Sequence, residues 1–391
     1  MKILLVHNFY LQPGGEDRVF STEGTLLEKR GHQVLRYTVH NRDTANYGRI
    51  ALLKNTLWNQ QVYRDIRSLI KKEHPEVIHF HNTFPLISPS AYYAARKERV
   101  PVVQTLHNYR LLCSAAILYR DGHPCELCIG KKVPWPGVYY ECYKESVVFS
   151  AGVAAMLTLH RSIRTWDTAV TSYIVMTEFA RNKFIDGGVP AARITVKPHF
   201  LDPDPGVGKG EGNYALFVGR LSSEKGVETL LNAWEELGHT LQLKIVGDGP
   251  LAAKVSQSSH KNSSIEWLGS KSPQEVYALM GDATCLIFPS QWYETFGLVV
   301  IEAFARGTPV IASRIGGIEE IVEHAKTGLF FTPGDHHDLA RQILWLKNNP
   351  RQMSEMRREA RTRFLTKYSS PCNYEKLMAI YKDAMRHCSN S

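Results

Sequence analysis

Residues 285–317 read CLIFPS, QWYETFG, LVVIEAFARG, TPVIAS and RIGG. The first block is an apolar run of the buried-strand type and the second a polar loop. The third carries apolar residues at helical spacing, and the fourth is a second strand closed by a glycine turn. Together they make one β-α-β unit with a charged loop at its mouth. Gly297 lets the chain turn tightly into the helix, so the free N–H groups of Gly297, Leu298 and Val299 point at whatever fills that mouth. A helix N-terminus favours an anion, and a phosphate is the natural guest. Two carboxylates frame it: Glu294 just before the helix and Glu302 inside it, with seven residues between them. A phosphate repels a carboxylate, so Glu294 is expected to serve a neutral polyol or a developing cation. Glu302, deeper in, is suited to accept paired hydrogen bonds from a ribose diol. The plain alternative is a solvated loop glutamate and a helix-capping one.

Upstream, YALFVGRLSSEKGVETLLNAWEEL gives strand, loop and helix. Arg220 and Lys225 lie five apart across its serine-rich loop at a strand end, a compact cationic clamp for a diphosphate. The string E-TFGLVVI-E followed by AFARGTPVIAS and GG, together with GRLSSEKG, resembles the donor site of the retaining glycosyltransferases of family 4, of the polysaccharide-assembly type. That resemblance implies an α/β architecture of the GT-B kind: two Rossmann-like, doubly wound domains facing a cleft. It implies that Glu294 contacts the transferred sugar and Glu302 the ribose, and that Arg220 and Lys225 bind the pyrophosphate. Phe296, with Gly297, Leu298 and Val299, belongs to the same donor loop. The turns after LQLKIVGDGP and SIEWLGSK would flank the nucleobase, through Gly247 and the Gly269, Ser270, Lys271 loop.

The N-terminal half has the same rhythm. KILLVH is a strand, a helix is expected over about Glu16 to Arg30 with Gly31 as its stop, and a second strand over Gln33 to Thr38. Gly14 and Gly15 of the PGG turn allow close backbone approach at the head of a parallel sheet, although GxGxxG is absent. In family 4 such glycines lie against the donor's diphosphate. The strands PEVIHFHN and VPVVQTLHN end in His81 and His107, where parallel sheets collect ligands. The resemblance makes His107, in its T-x-H context, the residue that positions a sugar. Of His79 and His81, one is expected to face the core and the other the ligand.

Between Cys113 and Cys142 fall four of the seven cysteines, Cys113, Cys125, Cys128 and Cys142, with eleven, two and thirteen residues between successive members. The chain opens on a strand, so no signal peptide is expected, and in that context CxxC with two flanking cysteines favours a structural thiolate zinc over disulfides. The alternative is that only some meet and the rest are reduced core thiols. The expected organisation is an N-terminal acceptor domain over 1–200 containing this insertion, a Pro/Gly/Asp-rich linker over 201–212, a donor domain over 213–365, and a helix over 366–391 crossing back.

No run of about 18 apolar residues occurs, so no membrane span is expected. The net charge of +9 points to an anionic partner, and no nucleic-acid-binding signature accompanies it. One basic stretch, Asn46 to Lys72, has an apolar face at helical spacing and reads either as a helix lying on an anionic membrane or as a surface helix packed on its own sheet. The expected activity is transfer of a sugar from a UDP-sugar or GDP-sugar to a glycan or polyprenyl-diphosphate-linked acceptor. It would proceed with retention, without a catalytic metal, in the cytoplasm or at the inner face of the plasma membrane. A nucleotide-sugar epimerase of the same fold and a non-catalytic nucleotide-sugar binder are the rival classes.

Overall fold

The computed structural model describes residues 1–12 and 14–389, so Pro13 of the PGG turn lies outside the described residues. The chain divides into two compact units. One comprises Met1–Leu118, Cys125–Pro198 and the chain from Asn373, and the other Tyr119–Pro124 and His199–Cys372.

The first unit is built on a sheet of six strands, in spatial order Gln33–His40, Lys2–Phe9, Val77–Asn82, Val102–Thr105, Ser172–Val175 and Ile194–Val196. Every pairing is parallel. Parallel strands need helical crossovers that cover both faces, which is why Val77–Asn82 and Val102–Thr105 are buried along their whole length. Helix Gly15–Lys29 starts where the Asp17 carboxylate accepts the Gly14 N–H at 2.9 Å and stops at Gly31, whose φ of +82° suits glycine. The C-terminal helix, Ser370–Ser389, drives Leu377, Ile380 and Tyr381 into the same core as Ile3, Leu5 and Phe20.

The basic stretch read as one amphipathic helix is two, Arg49–Leu57 and Gln60–Glu73. Asn59 is the reason: its side chain accepts the N–H groups of Gln61 and Val62 and so begins a new helix. The second helix buries Val62, Ile66 and Ile70, and Arg67 pairs with Glu98 at 2.6 Å. Its apolar face is therefore committed to its own unit. Exposed apolar side chains lie elsewhere, at Leu11, Ile50, Val147 and Val148. Among the described residues no helix is long and apolar enough to cross a membrane.

The second unit repeats the plan, with strands ordered Ile265–Trp267, Gln242–Val246, Tyr214–Val218, Cys285–Phe288, Val310–Ser313 and Gly328–Phe331, all parallel. Its core gathers Phe217, Leu230, Trp234, Ile287 and Ile343. The Pro/Gly/Asp-rich segment is fastened along this unit. Asp204 accepts two bonds from Arg361 at 2.8 and 2.7 Å, and the N–H of Gly210 donates to Gly281 O at 2.9 Å. In both sheets the order reverses once: between Lys2–Phe9 and Val77–Asn82, and between Tyr214–Val218 and Cys285–Phe288. Doubly wound sheets bind ligands at such reversals, outside the carboxyl ends of the strands.

Candidate functional site

At the reversal of the second sheet two loops leave neighbouring strands, one carrying Arg220 and Lys225 and the other Glu294. The Lys225 ammonium is ion-paired to Glu294 Oε1, which also accepts the Ser290 hydroxyl at 2.9 Å. The same ammonium lies 5.0 Å from the centre of the Trp292 ring, a cation–π contact. The loops are tied together by the Gln291 N–H, which donates to Glu224 O at 2.8 Å. Gly226 makes their approach possible: its φ is +70°, and a Cβ there would sit 1.8 Å from Pro289 O. Arg220 is exposed, Lys225 is half-buried, and Glu294 and Glu302 are buried.

Gly297, at φ +94°, precedes helix Leu298–Ala305 and has no side chain with which to cap it. Gly297 O accepts the Val300 N–H at 3.0 Å, and the amides before Val300 lie at the end of a helix that favours an anion. Phe296 is a core residue here, 2% exposed and packed edge-on against His199 and Tyr368, so any ligand contact from this position would come from its backbone. Gly247 joins the neighbouring turns to the clamp. Its N–H donates to Gly269 O at 2.9 Å, its carbonyl accepts the Trp267 indole at 3.0 Å, and at φ +138° a Cβ would meet Gly219 O at 1.9 Å. Ser270 and Lys271 are exposed, with Lys271 paired to Glu275 at 3.4 Å.

The reversal of the first sheet gathers Gly14, Gly15, Glu16, His81, His107 and Asn108. Gly14 is exposed, and a Cβ there would meet nothing within 4 Å, so the protein's own packing leaves room for a guest. Glu16 accepts from Tyr10 Oη at 3.0 Å and from Asn108 Nδ2 at 2.7 Å. Burial pushes its carboxyl up to about 7, against the pull of those two bonds. His107 is buried, with Nε2 3.0 Å from His81 Nδ1.

His79 and His81 do not face opposite ways. They are two residues apart, and a strand's period of two puts such residues on one face. Both are buried, their rings lie 4.3 Å apart, and both approach Glu23 Oε1, at 3.1 and 3.4 Å. Glu23 also pairs with Lys197 at 2.9 Å. Burial opposes its ionisation, but the Lys197 ammonium and the imidazoles prevail and hold its carboxyl well below the usual carboxylate range. Burial pushes His81 down to about 3, so it is neutral at working pH.

Among the four clustered cysteines, Cys113 and Cys128 are buried and Cys125 and Cys142 half-buried, all as free thiols. Burial is the main force pushing the Cys128 thiol up to about 11, and Cys113, Cys142 and Cys125 each add to it. Among the described residues, the groups of three or more ligand atoms lying within 4.8 Å of one another include none of these sulfurs, so a zinc would require them to draw together.

A family model described as Glycosyltransferase Family 4 matches residues 13–205, and one described as Glycosyl transferases group 1 matches residues 203–363. The fold is GT-B, and the two halves of the chain are similar to glycosyltransferase family 4 and to the glycosyl transferases of group 1. It is 40% identical over 143 residues to an uncharacterized glycosyltransferase of Methanocaldococcus jannaschii, covering 36% of this chain and 40% of that relative. Against the N-acetyl-alpha-D-glucosaminyl L-malate synthase of Bacillus anthracis it is 23% identical over 409 residues, covering 100% of this chain and 99% of the relative. The fold is shared with the crystal structure of Anabaena HepE in complex with UDP, at a TM-score of 0.68, 19% identity, and coverage of 97% and 99% of the two chains. The residues that the structure brings to these two sites without any motif are Glu16, Glu23, Ser290 and Trp292. Only Glu16 had a sequence signal, as an acid at the start of a helix at a sheet edge.

Proposed function

We propose that this family 4-like protein transfers a sugar from a nucleotide-diphosphate sugar to a glycan or a polyprenyl-diphosphate-linked glycan, with retention and without a catalytic metal. The carrying observation is the pairing of Lys225 with Glu294 at the sheet reversal, beside the start of helix Leu298–Ala305. As the bond from sugar C1 to the β-phosphate oxygen breaks and an acceptor hydroxyl oxygen bonds to C1, giving up its proton to the departing phosphate oxygen, negative charge collects on the diphosphate. Arg220, Lys225 and the amides after Gly297 would stabilise that charge, a role fixed cations and dipoles fill without reorganisation. Glu302 would bind the ribose, Glu294 the sugar hydroxyls, and Gly247 with Gly269, Ser270 and Lys271 the base. On the first unit, Gly14, Gly15 and His107 would receive the reacting sugar and acceptor. The HepE protein was crystallised with UDP and with UDP-glucose, which favours a uridine donor as the first to try.

The four cysteines would hold a structural zinc that stiffens the insertion following His107. An acceptor carried on a lipid would suit the basic, partly apolar surface around Arg49, Ile50, Lys54, Val147 and Val148, placing the protein at the cytoplasmic face of a membrane. A thermal-shift panel of nucleotides and nucleotide sugars, followed by turnover assays with the stabilising donor, tests the reading. No stabilisation by any nucleoside diphosphate, or stabilisation only in the presence of magnesium, would refute it.

A further inference from the structure

The first unit contains a buried polar chain that the proposed transfer does not use directly. It runs from the Lys197 ammonium, held also by Asn373 Oδ1 at 3.2 Å, to Glu23, to His81, and ends on His107. Glu23, His81 and Lys197 are each at most 2% exposed. Glu23, His79 and His81 together resemble the donor set of a metal site. Lys197 argues against that use, because its ammonium already neutralises the carboxylate a divalent ion would need.

The proton positions follow from the order of the links. An ionised carboxylate can only accept. His81 Nε2 lies 3.4 Å from Glu23 Oε1, longer than a regular hydrogen bond, but a ring lone pair facing that oxygen would be repelled and an N–H attracted. Neutral His81 therefore carries its proton on Nε2 and its lone pair on Nδ1. That lone pair is 3.0 Å from His107 Nε2, which must then supply the proton of the bond. We propose that Glu23 and His81 are positioning residues that hold His107 as its Nε2–H tautomer. The buried carboxylate thus sets, two rings away, which nitrogen of His107 carries the proton. This rests on the assignment of His107 to the reaction.

The test reads the tautomer without substrate. In the full-length chain labelled with 15N-histidine, the His107 signals, assigned by their loss in His107→Gln, should show protonated Nε2 and unprotonated Nδ1. Replacing the buried charges as a pair, Glu23→Gln with Lys197→Met, avoids leaving an unpaired ion in the core. That double variant should show mixed His107 tautomers and lose about tenfold or more in turnover, the scale typical of removing an orienting partner, while nucleoside diphosphate affinity stays within about twofold. His81→Phe, which leaves both buried charges in place, should give the same tautomer mixing and so covers the case in which the double variant does not fold. A wild-type Nδ1–H tautomer, a pure Nε2–H signal in the variants, or tautomer mixing with unchanged turnover overturns the proposal. Full turnover in His107→Gln would instead remove the assignment beneath it, and is told apart because the tautomer is read in the free protein.

Discussion

Glu294→Gln should tighten binding of a free nucleoside diphosphate while depressing transfer. In the protein as folded, the Lys225 ammonium is engaged by the Glu294 carboxylate, with side-chain exposures of 25% and 8%. A diphosphate reaching Lys225 must share it with, or take it from, that carboxylate. It must also tolerate a negative charge one side chain away. Two unit charges about 6 Å apart at an effective dielectric of 20 to 40 repel by roughly 1.5 to 3 kcal/mol, and part of that relief is offset because Gln still accepts from Ser290. A net gain of about 1 to 2 kcal/mol corresponds to roughly 5- to 30-fold tighter binding. Lys225→Ala should act in the opposite sense, losing a charge-assisted contact worth about 1.5 to 3 kcal/mol. Calorimetric titration of UDP and GDP into wild type, both single variants and the double variant closes the cycle. In Lys225→Ala the competition for the ammonium is gone and the repulsion stays, so the effect of Glu294→Gln in that background measures the repulsive part alone. Weaker or unchanged diphosphate binding in Glu294→Gln, with its melting temperature preserved, would show that the pair does not stand at the diphosphate site.

Glu302→Gln should weaken free nucleoside diphosphate binding, and the reading of Glu302 as a ribose ligand fails if a 2′,3′-dideoxyribose analogue loses as much affinity as the natural nucleotide does on that substitution. Arg220→Ala should cost about tenfold in diphosphate affinity, and no change by calorimetry would remove it from the clamp. Glu16, held up to about 7, stabilises the fold fully below the ordinary glutamate range near pH 4.5, and that contribution is lost as pH rises through about 7. The shift corresponds to at most ~3.4 kcal/mol, and to about 1 once the side chain's partial contact with solvent is discounted. Melting temperature should therefore fall from pH 5 to pH 8 more in wild type than in Glu16→Gln, and parallel curves would contradict the assignment. The purified chain should carry about one equivalent of zinc by elemental analysis and lose it in Cys128→Ser, whereas a metal-free protein with intact, never-stripped thiols rules the zinc out. Vesicles of anionic lipid should retain the protein at low salt and release it at high salt. Replacing Arg49, Ile50 and Lys54 should abolish retention, while replacing Arg64, Lys71 and Lys72 should matter less.

The donor loop was legible from sequence because its parts are close along the chain: one β-α-β unit supplies Glu294, Gly297 and Glu302, and one strand–loop supplies Arg220 and Lys225. That Lys225 and Glu294 form an ion pair was not legible. They are 69 residues apart and meet only because Tyr214–Val218 and Cys285–Phe288 are neighbours in the sheet, an order that alternating strands and helices do not specify. The break at Asn59 could have been read, since an asparagine preceding a run with its own apolar period is a cap signal, but unbroken amphipathicity across Trp58 hid it. The histidines carry the sharpest lesson. The spacing of His79 and His81 itself places them on one face, and a pair of imidazoles on one buried face needs a counter-charge. That counter-charge, Glu23, sits on helix Gly15–Lys29 among residues with no motif, and its own partner Lys197 comes 174 residues later. A buried carboxylate with a distant lysine leaves no local pattern, because each half reads alone as an ordinary charged residue. The requirement appears only when burial is known, since an unpaired charge at these depths would cost several kcal/mol. The network that orients His107 is therefore a property of the packed sheet, and the sequence announces only its last member.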